Sequence, residues 1–175
     1  MKNKKSNELV PEILYIAYGS NLNLSQMEQR CPTARVIGTS EIKDYELVFR
    51  GSRYSAVATI EPCEGSNVPV LLWGIQPEDE KSLDRYEGYP NFYEKENMEI
   101  VLNGRTVSAM VYVMTHGHEF GIPSERYKIS IEDGYMDAGF DADILQNAVD
   151  KTKVKMQEVM NDIGEQESLF GMKWW

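Results

Sequence analysis

Residues 15–22, YIAYGSNL, form a short apolar strand that ends abruptly in Gly19-Ser20-Asn21. Glycine has no Cβ, so the chain can turn sharply there and pass close to another group. Ser20 and Asn21 are favourable first residues of a helix, because their side-chain oxygens accept hydrogen bonds from its unpaired N–H groups. Backbone donors at such a turn suit a carboxylate, a phosphate or a developing oxyanion. The segment predicts the floor of an anion-binding pocket; the alternative is a tight, capped connection between strand and helix.

The composition is typical of one soluble globular domain. The chain has 175 residues, 42% of them hydrophobic, which is enough for a substantial core. Lys and Arg number 18 against 28 Asp and Glu, which gives a net charge of −10. Nucleic-acid binding needs clustered positive charge against the phosphates, and this acidic balance opposes it. We therefore expect no nucleic-acid partner.

The cysteines and the absence of long apolar runs indicate the compartment. Cys31 and Cys63 are too few for a disulfide framework, and no second pair supports a zinc site, so we expect free thiols in a reducing environment. No apolar run follows the charged first residues, MKNKKSNELVPE, as it would in a signal peptide. No stretch approaches the ~20 apolar residues of a membrane span. We expect a cytoplasmic protein without a membrane segment.

Alternating and helical periodicities divide the chain into short elements. Strands are predicted at 13–19, 35–38, 42–50, 56–60, 68–75, 93–102 and 106–114, with loops at 51–53 and 64–67. Helices are predicted at 24–30, 77–86, 125–139 (with Ser124 as N-cap) and 142–163. Asn103-Gly104 between two strand patterns is a strong hairpin signal. The predicted organisation is a polar leader at 1–12, a single domain at 13–163 and an apolar tail at 164–175.

Two features of the C-terminal region concern packing. Ile144, Ala148, Met156, Val159 and Ile163 share one face of the last helix, which predicts that this face packs on the sheet. The tail includes LFGMKWW at residues 169–175. Two alternatives stay open for it: docking on its own domain, or a subunit contact in a homodimer.

Glu87 is the acidic residue that we select for chemistry. It lies where a helix gives way to a Gly-Tyr-Pro-Asn turn, between Tyr86 and Tyr89. A partly desolvated aromatic setting raises the pKa of a carboxylate toward the range useful for proton transfer. The alternative is a surface carboxylate at a helix end. His116 and His118 flank a glycine and are typical of an exposed turn, and no further ligands lie at suitable spacing, so we expect no metal site.

Three fragments in order, YIAYGSNL (15–22), LDRYEGYPNFY (83–93) and PSERY (123–127), resemble the γ-glutamylcyclotransferase family with its AIG2-like members. The resemblance covers roughly residues 13–140. It implies an α+β fold, a small mixed β-barrel with surrounding helices. It further implies that the glutamyl part of a substrate binds at Tyr15, Tyr18, Gly19, Ser20, Asn21 and Tyr127, and that Glu87 is the acid–base catalyst.

The reaction that this resemblance implies is intramolecular. The α-amine of a γ-glutamyl amide attacks its own γ-carbonyl, which yields 5-oxoproline and releases an amine or amino acid. No cofactor is needed. The sequence leaves the leaving amine open, and a non-catalytic binding module for a carboxylate-bearing metabolite on the same fold is the alternative.

Overall fold

The computed structural model describes residues 12–171, and the side chains of residues 12–167. The strands are β1 (Ile13–Ala17), β2 (Arg35–Gly51), β3 (Val57–Ile75), β4 (Tyr93–Leu102), β5 (Arg105–Met114) and β6 (Glu119–Phe120). The helices are α1 (Leu24–Arg30), α2 (Pro77–Glu87), α3 (Glu125–Ala138) and α4 (Ala142–Gly171), with a 3₁₀ turn at Ser20–Leu22. No helix within residues 12–171 is long and apolar enough to cross a membrane.

The strands form one mixed sheet in the order β4-β5-β1-β3-β2-β6. β1 runs parallel to β5 and antiparallel to β3, so the strand that leads into the 3₁₀ turn lies in the interior of the sheet. The sheet curls until β2 meets β4, where the Ser40 hydroxyl donates to the Val101 carbonyl at 2.5 Å. This half-barrel with helices around it confirms the predicted α+β class and mixed β architecture.

β2 and β3 are each one long strand, whereas the sequence predicted each as two short ones. They pair from Arg35↔Gly74 to Arg50↔Val57. The prediction of a loop at 64–67 was wrong, because an irregularity inside the hairpin gives the same composition as a turn. Asp44 has φ 60°, Gly65 has φ 80°, and the Gly65 N–H donates to the Asp44 carboxylate at 2.9 Å. A local bulge therefore accommodates these polar residues without ending either strand.

Helix α2 positions Glu87 at its C-terminal end. Pro77 occupies the first turn, and Gln76 and Asp79 form a reciprocal capping box at the N-terminus. Gly88 ends the helix in the left-handed conformation, with φ 65°. Glu87 is thus the last residue of α2, one position beyond the predicted end. The caps of α3, Ser124 and Gly139, are confirmed.

The start of α1 differs from the prediction. Ser20 and Asn21 do not cap a helix; they form the 3₁₀ turn, and Asn23 caps α1 by accepting from the Gln26 N–H at 3.0 Å. β1 also ends at Ala17 rather than at Gly19. The side chains of Ser20 and Asn21 are therefore not used as helix caps, and both are buried inside the protein.

α4 packs on the sheet with only its first half. Leu145, Ala148, Val149 and Thr152 are buried, and the Thr152 hydroxyl accepts from the Phe49 N–H at 3.4 Å. Val159 and Ile163 are half exposed, and Ile144 in the first half is 39% exposed, so the prediction that this face packs on the sheet was wrong for these three residues. The helix also continues beyond Ile163 to Gly171.

The ends of the chain are only partly described. Residues 1–11 of the predicted leader, residues 172–175, and the side chains of residues 168–171 lie outside the described part. Glu12, the last leader residue, forms an ion pair with Arg35 at 2.6 Å.

Candidate active site

The predicted site residues line one partly open cavity of about 190 Å³. They are Tyr15, Tyr18, Gly19, Ser20, Asn21, Glu87 and Tyr127. β1 and its 3₁₀ turn contribute five of these, α2 contributes Glu87, and α3 contributes Tyr127. Residues far apart in sequence therefore meet because β1 is interior to the sheet and the ends of α2 and α3 reach the same point.

Glu87 contacts the turn directly. The Asn21 side-chain amide donates to Glu87 Oε1 at 3.0 Å and to the Tyr15 hydroxyl at 2.8 Å. Asn21 is itself held by its backbone, because the Trp73 indole N–H donates to its carbonyl at 3.0 Å. The carboxylate consequently faces the Gly19–Asn21 turn across the cavity.

The carboxyl group of Glu87 is poised for proton exchange near neutrality. Burial raises its pKa from the ordinary 4.5 to about 7, while the nearby Arg30 charge and the Asn21 hydrogen bond pull it down. Desolvation dominates because a carboxylate in an aromatic cavity loses most of its hydration. A group with such a pKa can both accept and return a proton at physiological pH.

Neutral phenols form much of the cavity wall. Burial, with the charge of Glu87 adding to it, raises the pKa of Tyr15 and of Tyr18, and burial raises that of Tyr127. All three remain protonated at neutral pH. The Tyr15 and Tyr127 hydroxyls each accept a hydrogen bond, from Asn21 and from the Ala58 N–H at 3.1 Å, which leaves their own protons free to donate.

The 3₁₀ turn brings backbone close to the cavity. A Cβ at Gly19 would lie 3.2 Å from the Ala58 Cβ, a tight contact, and 3.5 Å from the Tyr127 hydroxyl, an ordinary one, so glycine lets the turn approach Ala58 without a shift of β3. The Ser20 hydroxyl lies 3.0 Å from that of Tyr86. Within residues 12–167 no hydrogen bond uses the backbone N–H of Ser20 or Asn21, and both donors stay available.

The sequence that forms this cavity matches a known family. The family model described as "Gamma-glutamyl cyclotransferase, AIG2-like" matches residues 15–134. The chain belongs to this family.

Relatives of the γ-glutamylcyclotransferase family agree with the match. A human protein named gamma-glutamylcyclotransferase is 30% identical over 129 residues, which are 66% of this chain and 65% of the human protein, just under two thirds. A Bos taurus protein of that name is 27% identical over 163 residues, 86% of each chain. A solved structure named gamma-glutamyl cyclotransferase has a TM-score of 0.71 at 26% identity, covering 78% of this chain and 86% of that one.

Sequence reasoning missed part of the γ-glutamylcyclotransferase-like cavity. Val57, Ala58, Tyr86, Phe92, Tyr93 and Tyr112 complete its lining. A signal existed for two of them: a hairpin closed at Asn103-Gly104 pairs Tyr93 with Met114 and Lys95 with Tyr112, which places both tyrosines on one face. The Tyr93 hydroxyl donates to the Ala58 carbonyl at 2.6 Å and fastens β4 to β3.

Neither histidine lines this cavity. His118 packs edge-on against Phe92 and contacts the Thr115 hydroxyl at 3.1 Å, and His116 is exposed. Among the residues that the structure describes, no three His, Cys, Asp or Glu side chains cluster as metal ligands would.

Proposed function

We propose that this protein is a γ-glutamylcyclotransferase, which cyclises a γ-glutamyl amide to 5-oxoproline and releases an amine or amino acid. The observation that carries the proposal is the position of the Glu87 carboxylate, hydrogen-bonded to Asn21 in a cavity shared with the turn. Family membership supports the reaction class.

The substrate carries its own nucleophile, so orientation is the main task. Its α-ammonium loses a first proton to the Glu87 carboxylate, and the free amine attacks the γ-carbonyl to close a five-membered ring. Glu87 passes this proton to the leaving nitrogen, and the C–N bond to the leaving amine then breaks. The carboxylate takes the second proton from the cationic ring nitrogen, which becomes the lactam N–H, and gives it to the released amine, which departs as an ammonium ion. Holding the reacting atoms in contact in a folded conformer can contribute several powers of ten in rate.

The other groups of the cavity suit the rest of the substrate. The free N–H groups of Ser20 and Asn21, with the spare protons of Tyr15 and Tyr127, are neutral donors for an α-carboxylate or for the oxyanion of the intermediate. Tyr18 has a structural part in this proposal, because its hydroxyl donates to the Tyr112 carbonyl at 2.6 Å and joins the segment after β1 to β5.

The size of the cavity limits the substrate. A volume of 190 Å³ would hold roughly six waters at ~30 Å³ each, which is the scale of one amino-acid unit. We therefore propose that the γ-glutamyl group is enclosed while the leaving amine extends outward. The candidates are γ-glutamyl amino acids, γ-glutamyl-lysine isopeptides and γ-glutamylated metabolites.

A panel assay tests the reaction. The protein is incubated with one γ-glutamyl amide of each class, and the 5-oxoproline and the released amine are both measured. We expect the two products in equal amounts. Glu87→Gln should abolish turnover, whereas Glu78→Gln, an exposed glutamate on the same helix, should not. Thermal stabilisation by the amides without any product would favour the non-catalytic binding module instead.

Two further properties belong to this proposal. Cys31 and Cys63 are free thiols, which supports a cytoplasmic location. Two copies would associate through the exposed half of α4, where Val159, Met160 and Ile163 border a groove with Phe120.

Charge in the later part of α4 suits an antiparallel pair of such helices. Lys151, Lys153 and Lys155 precede Glu158, Asp162, Glu165 and Glu167 along the helix. Lys153 is paired with Asp150 and Lys155 with Glu46 in the same chain, so within residues 12–167 Lys151 is the lysine of this set without an ion pair, and an antiparallel partner would bring its acids opposite it. In sedimentation velocity the protein should be a dimer that Val159→Glu dissociates and that Val154→Glu, outside the groove, leaves intact; a wild-type monomer would contradict this part.

A further inference from the structure

Arg30, at the end of α1, is outside the lining of the cavity but adjacent to it. Its guanidinium lies 3.6 Å from the centre of the Tyr86 ring, and Nη2 donates to the Gln26 side-chain oxygen at 2.6 Å. Nη1 donates to Asn21 Oδ1, also at 2.6 Å. Stacking and two hydrogen bonds fix a planar guanidinium far better than one contact would.

The contact with Asn21 decides which way that amide faces. A guanidinium has only donors, so it must meet the oxygen of the amide. The nitrogen is then turned to the other side, where it donates to Glu87 and to Tyr15. A reversed amide would place its oxygen against the Glu87 carboxylate, lose the hydrogen bond to it, and set its nitrogen against the Arg30 guanidinium, where neither group can accept.

We infer that Arg30 is a positioning residue for Glu87, acting through the side chain of Asn21. The inference rests on the proposed role of Glu87 as the proton-transferring group. Arg30 does not touch the cavity, and within residues 12–167 it forms no ion pair with a carboxylate. Its positive charge is therefore directed to Glu87 through one polarised amide.

The remaining groups around Glu87 leave Arg30 as the source of positive charge. Those that face it are Asn21 from the turn, Tyr15 from β1, Tyr18 just after β1, Tyr93 from β4, Tyr112 from β5, Tyr127 from α3, and Tyr86 from its own helix. The tyrosines with raised pKa values are neutral and cannot offset a buried carboxylate. Arg30 is the group whose charge lowers the pKa of Glu87 against the effect of burial.

The test measures Glu87 directly. Protein with ¹³C-labelled glutamate side chains is titrated by NMR, and the Glu87 signal is assigned from its loss in Glu87→Gln. Arg30→Met should raise the pKa of Glu87 by about one unit, since a positive charge beside a carboxylate lowers the pKa by one unit or more. Arg30→Lys keeps the positive charge but loses the planar guanidinium that makes two hydrogen bonds, so it should raise the pKa of Glu87 by less.

Steady-state kinetics supply the second readout. In Arg30→Met the ascending limb of the plot of kcat against pH should shift to higher pH by the same number of units. KM should change little, and kcat should partly recover at high pH. Arg35→Met, which removes an exposed arginine paired with Glu12, is the matched control and should move neither readout.

The outcomes separate this inference from the proposed function. If the Glu87 pKa shifts in Arg30→Met but neither the wild type nor any variant forms 5-oxoproline, the positioning role is supported and the proposed reaction is contradicted. Normal turnover with the same Glu87 pKa and pH profile in wild type and Arg30→Met would overturn the positioning role and leave the reaction standing. If Arg30→Met fails to fold, the Glu87 pKa and the pH profile are measured in Arg30→Lys instead. A Glu87 pKa and a pH profile equal to those of the wild type in Arg30→Lys would then overturn the positioning role.

Discussion

Replacing Asn21 with leucine should convert a neutral-pH catalyst into one that works only at alkaline pH. Leucine keeps nearly the same shape but removes the donor 3.0 Å from Glu87 Oε1. A hydrogen bond to a charged group contributes about 1.5–3 kcal/mol, and one pKa unit corresponds to about 1.4 kcal/mol. Loss of this donor disfavours the ionised form, so the pKa of Glu87 should rise from about 7 by roughly one to two units.

The effect on rate follows from the ionised fraction. With a pKa of about 7, half of the Glu87 carboxyls are ionised at neutral pH. After a rise of one to two units only about 1–10% would be, so kcat/KM at pH 7 should fall roughly 5- to 50-fold. Because the ionised fraction of Glu87 increases as the pH rises, activity should recover toward the wild-type value above about pH 9.

The assay is 5-oxoproline formation from one accepted γ-glutamyl amide between pH 5 and pH 10. Asn67→Leu, an exposed position on β3, is the control and should keep the wild-type profile. Thermal unfolding checks that both variants are folded. The reasoning would be refuted by a folded Asn21→Leu variant whose activity falls equally at every pH, because the lost bond would then not govern ionisation of Glu87.

Two other perturbations test the electrostatics and the packing of the site. The folded-state pKa of Glu87, about 7, exceeds its ordinary 4.5, so its protonated form stabilises the fold below pH 4.5 and this contribution is lost as the pH rises through 7. Glu87→Gln should therefore be more stable than wild type by about 1–3 kcal/mol at pH 8 and equal to it at pH 4 in chemical denaturation; equal stability at both pH values would contradict the raised pKa. Gly19→Ala should lower the free energy of unfolding by about 1 kcal/mol and reduce kcat, because its Cβ would press on the Ala58 Cβ and shift the turn that borders the cavity. A fully active, equally stable Gly19→Ala protein would show that this close approach is not needed.

Local sequence signals predicted most elements of this fold. The Pro77 start and Gly88 end of α2, and the Ser124 and Gly139 caps of α3, follow from backbone rules that act over a few residues. The continuity of β2 and β3 could not be predicted in this way. Cross-strand pairing carries both strands through a bulge at Asp44 and Gly65, and pairing is not a local property.

The site shows the same division between local and long-range information. The Gly19–Asn21 turn and Glu87 could be selected as chemical groups, and the family resemblance, now confirmed, supplied Tyr15, Tyr18 and Tyr127. Arg30 left no sequence signal, because its significance lies in a contact with Asn21 that only the folded turn creates. The expectation that Ser20 and Asn21 would cap a helix was wrong for a related reason: Asn23 does so, and the buried turn uses both side chains inside the protein.

The most direct test of the central claim is a single-turnover experiment with enzyme in excess over a γ-glutamyl amide that the wild type accepts. Wild-type protein should convert the bound amide to one equivalent of 5-oxoproline. Glu87→Gln should bind the same amide with a comparable dissociation constant and form none on that timescale. Equal product formation by Glu87→Gln would contradict the assignment of proton transfer to Glu87 and with it the mechanism proposed for this cavity.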